Sequence, residues 1–296
     1  MKQGKKQNIL LVGATGFTGQ RVLKFLCARD DTQVTCMLRK NSIPPEIEKG
    51  HYIVVRANLD DADSLKKALS GKDGMIYVAS LGFGHAPSIV KACEDADIKK
   101  CVFTSTTAIL TKLNASSKKV RLAAERSIST SKLLNWTIIR PTMIYGLKGD
   151  RNMERLVQYI KRWPVLFVPG SADALQQPNH VYDVANAIIS AYFSKNTKNK
   201  TYNISGDKAI SFRKIIKIIT EVSTSKIKII PLPLTPILWL LKPYELIASK
   251  PHIKAEQLRR LNENKNFSHA QAEKDFDFKP KSFKKGIEEL IKSLED

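Results

Sequence analysis

Three glycines spaced as a phosphate cradle are the most informative residues of the chain. They lie in Gly13-Ala14-Thr15-Gly16-Phe17-Thr18-Gly19, after the apolar run Ile9–Val12 and before the helical apolar pattern of Phe17, Val22, Leu23, Phe25 and Leu26. Strand, glycine turn and helix in that order point to dinucleotide binding. Gly13 permits the tight turn, Gly16 lets a pyrophosphate approach the backbone, and Gly19 lets the helix pack closely on the strand. The helix N-terminus then offers unpaired N–H groups and a partial positive charge to the phosphates, with Thr15 and Phe17 beside it in the binding turn. An NAD site usually places an acid about 20 residues further on, for the ribose hydroxyls. From Thr32 to Lys40 there is no acid, and the run ends Leu38-Arg39-Lys40. Cations there suit the 2′-phosphate of NADP through a charge-assisted contact, so NADP is expected over NAD, with Arg39 holding it. The alternative for both cations is a solvated surface.

Other chemistries leave no pattern. His51, His85, His180, His252 and His269 show no metal-ligand spacing, and no metal site is expected. There is no GxSxG elbow for a Ser-His-Asp hydrolase. Cys27, Cys36, Cys93 and Cys101 form no CxxC pair, which fits a reducing cytosol.

The elements that must position the glycine turn follow from alternation. Strand-like runs at Gln33–Leu38, Tyr52–Val55, Met75–Ala79, Cys101–Thr104 and Trp136–Ile139 are separated by helical patterns around Ser64–Leu69, Ile89–Ala96 and Val120–Ser129. Such alternation implies an α/β fold with a doubly wound parallel sheet, and ligands at the carboxyl ends of the strands. At 296 residues, two domains or one domain with an appended lobe are expected. The boundary is placed at Gly146: a dinucleotide-binding domain over 1–146 and a mixed substrate lobe over 147–296, with the stretch from about 180 to 205 returning to the first sheet. In the lobe, Asp150, Ser211 and Ser282 are candidate helix caps.

The net charge is +21, from 49 Lys and Arg against 28 Asp and Glu. It favours an anionic small-molecule substrate; nucleic acid or an anionic membrane are alternative partners, and a lysine-rich composition alone is the bland one. No aromatic-interleaved basic patch speaks for nucleic acid. The basic N-terminus before Ile9 resembles a signal peptide only superficially, because the apolar run is short and enters the glycine turn. A cytoplasmic protein is expected. Pro231–Tyr244 is apolar and carries Trp239; it reads as part of a substrate lobe, or else as a membrane-interface segment that its prolines weaken.

A family resemblance joins these pieces. Gly13-Ala-Thr-Gly-Phe-Thr-Gly19 is similar to the turn of extended and atypical short-chain dehydrogenases, in the nucleoside-diphosphate-sugar epimerase/dehydratase group. Asn58-Leu59-Asp60 resembles the element that holds the adenine, with Asn58 where many members have Asp. Phe103-Thr-Ser-Thr106 resembles the strand end carrying the catalytic Ser/Thr, at Thr106. Arg140-Pro141-Thr-Met-Ile-Tyr145-Gly146 resembles the segment bordering nicotinamide and substrate, and His180-Val-Tyr-Asp-Val-Ala185 the helix entry of the second lobe. The resemblance implies cofactor contacts at Ala79 and Pro141 and a role in oxidoreduction or epimerisation of a nucleotide-linked sugar or similar metabolite. Members use a Tyr, a Lys four residues later and a Glu four beyond that. Here Glu125 fits the third position, Arg121 stands at the Lys position and Ser117 at the Tyr position. Serine is far too weak an acid to replace a phenol. Candidate catalytic residues are therefore Thr106, Arg121 and Tyr145, with Lys118 or Lys119 as alternative bases. The missing pair also opens a second function, a non-catalytic NADP-binding sensor or assembly factor.

Overall fold

Apolar runs that do not alternate must be buried on both faces, which here requires a parallel sheet covered by helices on each side. The computed structural model, which describes residues 6–46, 51–113, 115–133, 135–247 and 254–295, has that arrangement. Its strands are β1 (Gln7–Val12), β2 (Thr32–Leu38), β3 (Tyr52–Arg56), β4 (Gly74–Tyr77), β5 (Lys100–Thr104), β6 (Trp136–Pro141), β7 (Ile144–Tyr145), β8 (Val165–Pro169), β9 (Leu175–Gln176), β10 (Asn179–His180), β11 (Lys200–Ile204), β12 (Ile210–Ser211) and β13 (Lys228–Leu232). Its helices are α1 (Phe17–Cys27), α2 (Ala62–Leu69), α3 (Ala86–Asp95), α4 (Ser116–Ser129), α5 (Met153–Arg162), α6 (Val181–Phe193), α7 (Phe212–Val222), α8 (Leu234–Ile247), α9 (Ala255–Leu261), α10 (Ala270–Phe276) and α11 (Phe283–Glu295).

Seven strands form one parallel sheet in the order β11-β6-β5-β4-β1-β2-β3. The order reverses between β1 and β4, the crevice where such sheets bind ligands. One face carries α1 and α6, whose Val22, Leu23, Leu26, Val184 and Ile188 are fully buried. The other carries α2, α3 and α4, with Leu65, Ile89, Cys93, Ala124 and Ile128 against the sheet. Strand β11 pairs in register with β6, so the chain returns to the sheet after the start of the second lobe.

The second lobe has its own core. Met153, Val157 and Ile160 of α5 meet Ile215, Ile216 and Ile219 of α7 and Ile287, Leu290 and Ile291 of α11. The three- and four-residue spacings give each helix one apolar stripe. Asp150 accepts N–H bonds from Asn152 (2.7 Å) and Met153 at the start of α5, and Ser211 caps α7 through Lys214 N–H at 3.1 Å. Helices α8, α9 and α10 go beyond what apolar periodicity predicts. Pro236 falls in the first turn of α8, where a missing N–H costs little.

Candidate functional site

The glycine turn is forced by close backbone approach. Gly13 has φ +93°, and a Cβ there would lie 2.7 Å from the Ala79 nitrogen beyond β4. A Cβ on Gly19 would sit 1.9 Å from the Gly13 carbonyl oxygen, so α1 can rest on the turn only without one. Gly16 N–H donates to Gly13 O at 3.1 Å and closes the loop. Gly16 is also the N-cap of α1 and supplies no side chain to the first-turn N–H groups. They remain available to an anion. Gly13, Thr15 and Gly16 line a cavity of about 530 Å³ together with Arg39, Asn58 and Leu59, and Ala79 closes its inner side. The Phe17 side chain instead packs against Arg21, whose guanidinium lies 4.7 Å from the ring centre.

Beyond β2 the cavity opens into a second one of about 600 Å³, bounded by Arg39, Lys40, Arg56 and Asn58. Arg56 Nη1 donates to the carbonyls of Arg39 (2.8 Å), Lys40 (3.2 Å) and Ser42 (2.6 Å), which shapes the backbone there. Asp60 and Asp61 line these cavities as well, and each has a partner. Asp60 pairs with His85 at 3.2 Å, and Asp61 caps α2. Arg39 has no ion pair among the described residues. The Asn58 side-chain oxygen accepts from Asp60 N–H at 3.3 Å.

Toward the other side of the switch point, a cavity of about 290 Å³ is lined by Thr18, Ser80, Thr106, Arg121, Pro141 and Thr142, among others. The hydroxyls of Thr104, Ser105 and Thr142 are buried beside it with no hydrogen-bond partner in the protein. Buried hydroxyls are normally paired, so these three suit a polar ligand. Thr106 Oγ1 accepts from Ala108 N–H at 3.1 Å. Arg121 Nη1 donates to Ser117 Oγ at 2.8 Å, joining the two residues that stand at the Lys and Tyr positions. Burial, and then Arg260 across the cleft, lower the Arg121 pKa. Glu125 forms a buried pair with Arg140, whose Nε lies 3.0 Å from both carboxylate oxygens.

Two expectations are revised. Tyr145 is not at this cavity: it is 1% exposed, stacks edge-on against His180, and its hydroxyl donates to Phe283 O at 3.3 Å. Burial, then the carboxylates of Asp183, Glu289 and Asp150, push its phenol well above the ordinary range, so it is no acid/base. Lys118 Nζ donates to Thr111 O, Lys119 is exposed, and neither lines the cavities described.

Thr106 and Thr142 also border a larger cavity of about 700 Å³ reaching the second lobe, where Lys112, Arg260, Glu263 and Lys265 converge. Glu263 ties the two walls together, accepting from Thr111 Oγ1 at 2.6 Å and Lys112 N–H at 2.7 Å. Burial, then Arg260, bring the Lys265 ammonium down to about 8. Its Nζ donates to Gln176 Oε1 at 2.8 Å. Sequence reading missed Thr18, Ser80, Thr142, Arg56, Arg260 and Lys265. Thr142 adjoins Pro141, and Thr18 lies within the glycine turn, both in motifs already recognised; the others carry no local signal. The Pro231–Tyr244 segment, expected to line a substrate lobe, contributes to none of these cavities; α9 does so instead.

Residues 13–161 match the family model described as NAD(P)H-binding. The mitochondrial NADH dehydrogenase (ubiquinone) 1 alpha subcomplex subunit 9 of Dictyostelium discoideum is 25% identical over 226 residues, 71% of this chain and 62% of that one. The chloroplast stem-loop binding protein of 41 kDa b of Arabidopsis thaliana is 25% identical over 237 residues, 72% of this chain and 62% of that one. The chain thus spans about three fifths of the length of these relatives. The UDP-glucuronic acid 4-epimerase of Bacillus cereus, solved with UDP-glucuronic acid and NAD, has a TM-score of 0.75 at 15% identity, covering 98% of this chain and 99% of that one. At that identity the likeness is one of fold, and it agrees with the seven-stranded sheet and its strand order.

Proposed function

This chain belongs to the NAD(P)H-binding family, and from that premise we propose that it holds NADP(H) across the carboxyl ends of its sheet without the tyrosine-dependent proton relay of short-chain dehydrogenases. One observation carries the reading: the inner cavity is lined by hydroxyls, aliphatic groups and Arg121, with no Tyr, Lys, His or carboxylate among its lining residues. A guanidinium stays protonated and a serine hydroxyl does not titrate near neutrality, so neither Arg121 nor Ser117 moves a proton there.

The residues present fit the dinucleotide. The Gly13–Gly16 turn and the α1 N-terminus would take the pyrophosphate, Asn58 and Leu59 the adenine, and Arg39 the 2′-phosphate. Arg121 with the orphaned hydroxyls of Thr104, Ser105 and Thr142 would meet the nicotinamide end. When bound, the nicotinamide supplies a hydride donor or acceptor. A resident dinucleotide stabilises the fold that binds it. That role suits a subunit or sensor, and the D. discoideum relative is named as a subunit.

A second reading has its own observation. Thr106 borders both the inner cavity and the larger one, and Lys265, whose ammonium burial brings down to about 8, lines the latter. An anionic metabolite, such as a nucleotide-linked sugar, would there meet Thr106 and the cations Lys112, Arg260 and Lys265.

Titration of the purified chain with NADPH and NADH separates the readings. NADPH should bind more tightly, and Arg39→Ala should lower its affinity by roughly ten- to a hundredfold while leaving NADH nearly unchanged. Nucleotide sugars should produce no change in nicotinamide absorbance; turnover by the unaltered chain would favour the enzymatic reading. Failure to bind either dinucleotide would reject both.

A further inference from the structure

Two segments that the fold pairs in the second lobe contain no carboxylate. From Arg155 to Ala172 and from Val222 to Tyr244 there is neither Asp nor Glu, while Arg155, Lys161, Arg162, Lys226, Lys228 and Lys242 are cations. Strands β8 and β13 bring the segments together, with Val165 opposite Lys228 and Phe167 opposite Ile230. Helix α8 begins two residues after β13 ends.

This basic surface is also apolar where soluble proteins are usually polar. Trp239 and Leu240 on α8 are each 75% exposed, and Phe167 and Trp163 are 55% and 52% exposed. The Arg162 guanidinium lies 5.6 Å from the centre of the Trp163 ring. Leu234, Ile237, Leu238 and Leu241 half-bury one face of α8, and the opposite face presents Trp239 and Leu240, an apolar surface that belongs against another apolar phase. Tryptophan beside Lys and Arg is the composition of the membrane–water interface, where the indole sits at headgroup depth and the cations meet lipid phosphates. Of these cations Lys161 is paired with Glu295, and Glu245 at the end of α8 accepts Ala255 N–H; the others, on a chain of net charge +21, are complementary to anionic headgroups.

We propose that α8, with the adjoining β8–β13 edge, seats this protein on an anionic lipid surface. The helix lies in the interface and does not cross it. Its 14 residues span about 21 Å against a hydrocarbon core of about 30 Å, and no helix among the described residues is long and apolar enough to traverse a bilayer. Trp239 and Leu240 enter the headgroup boundary, and Lys226, Lys228 and Arg162 remain at the phosphates. None of its residues is among those assigned to the dinucleotide, so it stands whether or not that assignment does.

The test is co-sedimentation of the full chain with phosphatidylcholine vesicles, with and without phosphatidylglycerol. Binding is expected to the anionic vesicles, to weaken steeply with salt, and to fall about tenfold or more in the Trp239→Ser/Leu240→Ser double variant. A Lys226→Glu/Lys228→Glu variant should lose anionic binding as well. Both variants should keep the unaltered circular dichroism spectrum and NADPH titration, because neither pair lies in a core or a described cavity. Absence of vesicle binding would overturn the proposal. So would full binding by the Trp239/Leu240 variant, since charge alone would then suffice. Self-association that this variant abolishes, without vesicle binding, would show that the face meets protein instead.

Discussion

At the scale of single residues, the binding turn depends on hydrogen atoms where every other residue has a carbon. The site a methyl would take on Gly19 is 1.9 Å from a backbone oxygen that cannot rotate away, so Gly19→Ala must lift α1 from the turn. Urea unfolding of Gly19→Ala should show a loss of roughly 1–3 kcal/mol, with NADPH affinity falling about tenfold or more. Gly71→Ala is the comparison. Gly71 also has a positive φ, +69°, but a Cβ there meets nothing within 4 Å, so only backbone strain of about 1 kcal/mol is expected and NADPH binding should not change. The three-glycine motif is legible in sequence because each glycine answers a backbone constraint within a few residues of itself. The Ser117–Arg121 pair is legible for the opposite reason: it breaks a pattern whose third member, Glu125, is kept. Arg260 and Lys265 are not legible. They reach the cleft from more than a hundred residues after Thr106, and nothing in their neighbours' types foretells it.

At the scale of elements, α4 brings Arg121 to the inner cavity, with Ser117 bonded to it, and Glu125 ties the same helix to β6. The Glu125–Arg140 pair is buried, at 7% and 23% side-chain exposure. Glu125→Gln keeps the shape but leaves Arg140 without its counter-charge. Removing one partner of a buried pair typically costs about 3–5 kcal/mol. Arg140 keeps some access to water, so a loss near 3 kcal/mol in urea unfolding is expected, together with weaker NADPH binding as the helix loosens on its strand. A variant as stable as the unaltered protein would show that α4 is held by its apolar stripe alone. The central strands β1, β4 and β5 could be read from sequence because burial on both faces makes each a largely apolar run, whereas β3, at the sheet edge, is half exposed and shows itself only by Tyr52-Ile-Val-Val55. Helix α8 could not. Its prolines argue against a helix, and the exposed Trp239 and Leu240 obscure the stripe of Leu234, Ile237, Leu238 and Leu241, which are half-buried. The interface proposed for it supplies the missing phase.

At the scale of the whole molecule, four buried titratable groups couple its later segments to pH. His180, fully buried under the second lobe, accepts Tyr182 N–H at Nδ1 (3.3 Å), which leaves Nε2 to donate to Gly146 O (3.2 Å). Burial and then Lys281 hold its pKa down to about 4, despite Glu289 at 3.4 Å. The unfolded chain takes up this proton near the ordinary value of 6.5 and the folded one does not. Stability from His180 is therefore complete above about pH 6.5 and lost progressively toward pH 4, on the order of 3 kcal/mol in all. Asp275 acts lower down. Hydrogen bonds from Lys200, Tyr202 and Gln271 hold its carboxyl down to about 2, so its stabilisation is complete above its ordinary value of 3.8 and lost as pH falls through about 2. Asp150 and Asp183, raised by burial, work in the opposite sense: the folded state favours their protonation and gains as pH falls toward the carboxylate range. The His180 effect is consequently cleanest just below pH 6.5. Urea midpoints measured from pH 8 to pH 3 should begin to fall there. His180→Gln, whose amide can serve both backbone partners, should remove that upper limb at some cost in packing. Asp275→Asn should leave the upper limb intact and flatten only the acidic one. A midpoint that stays constant between pH 7 and pH 5 in the unaltered protein would mean that His180 takes up its proton without leaving its place between Gly146 and α11.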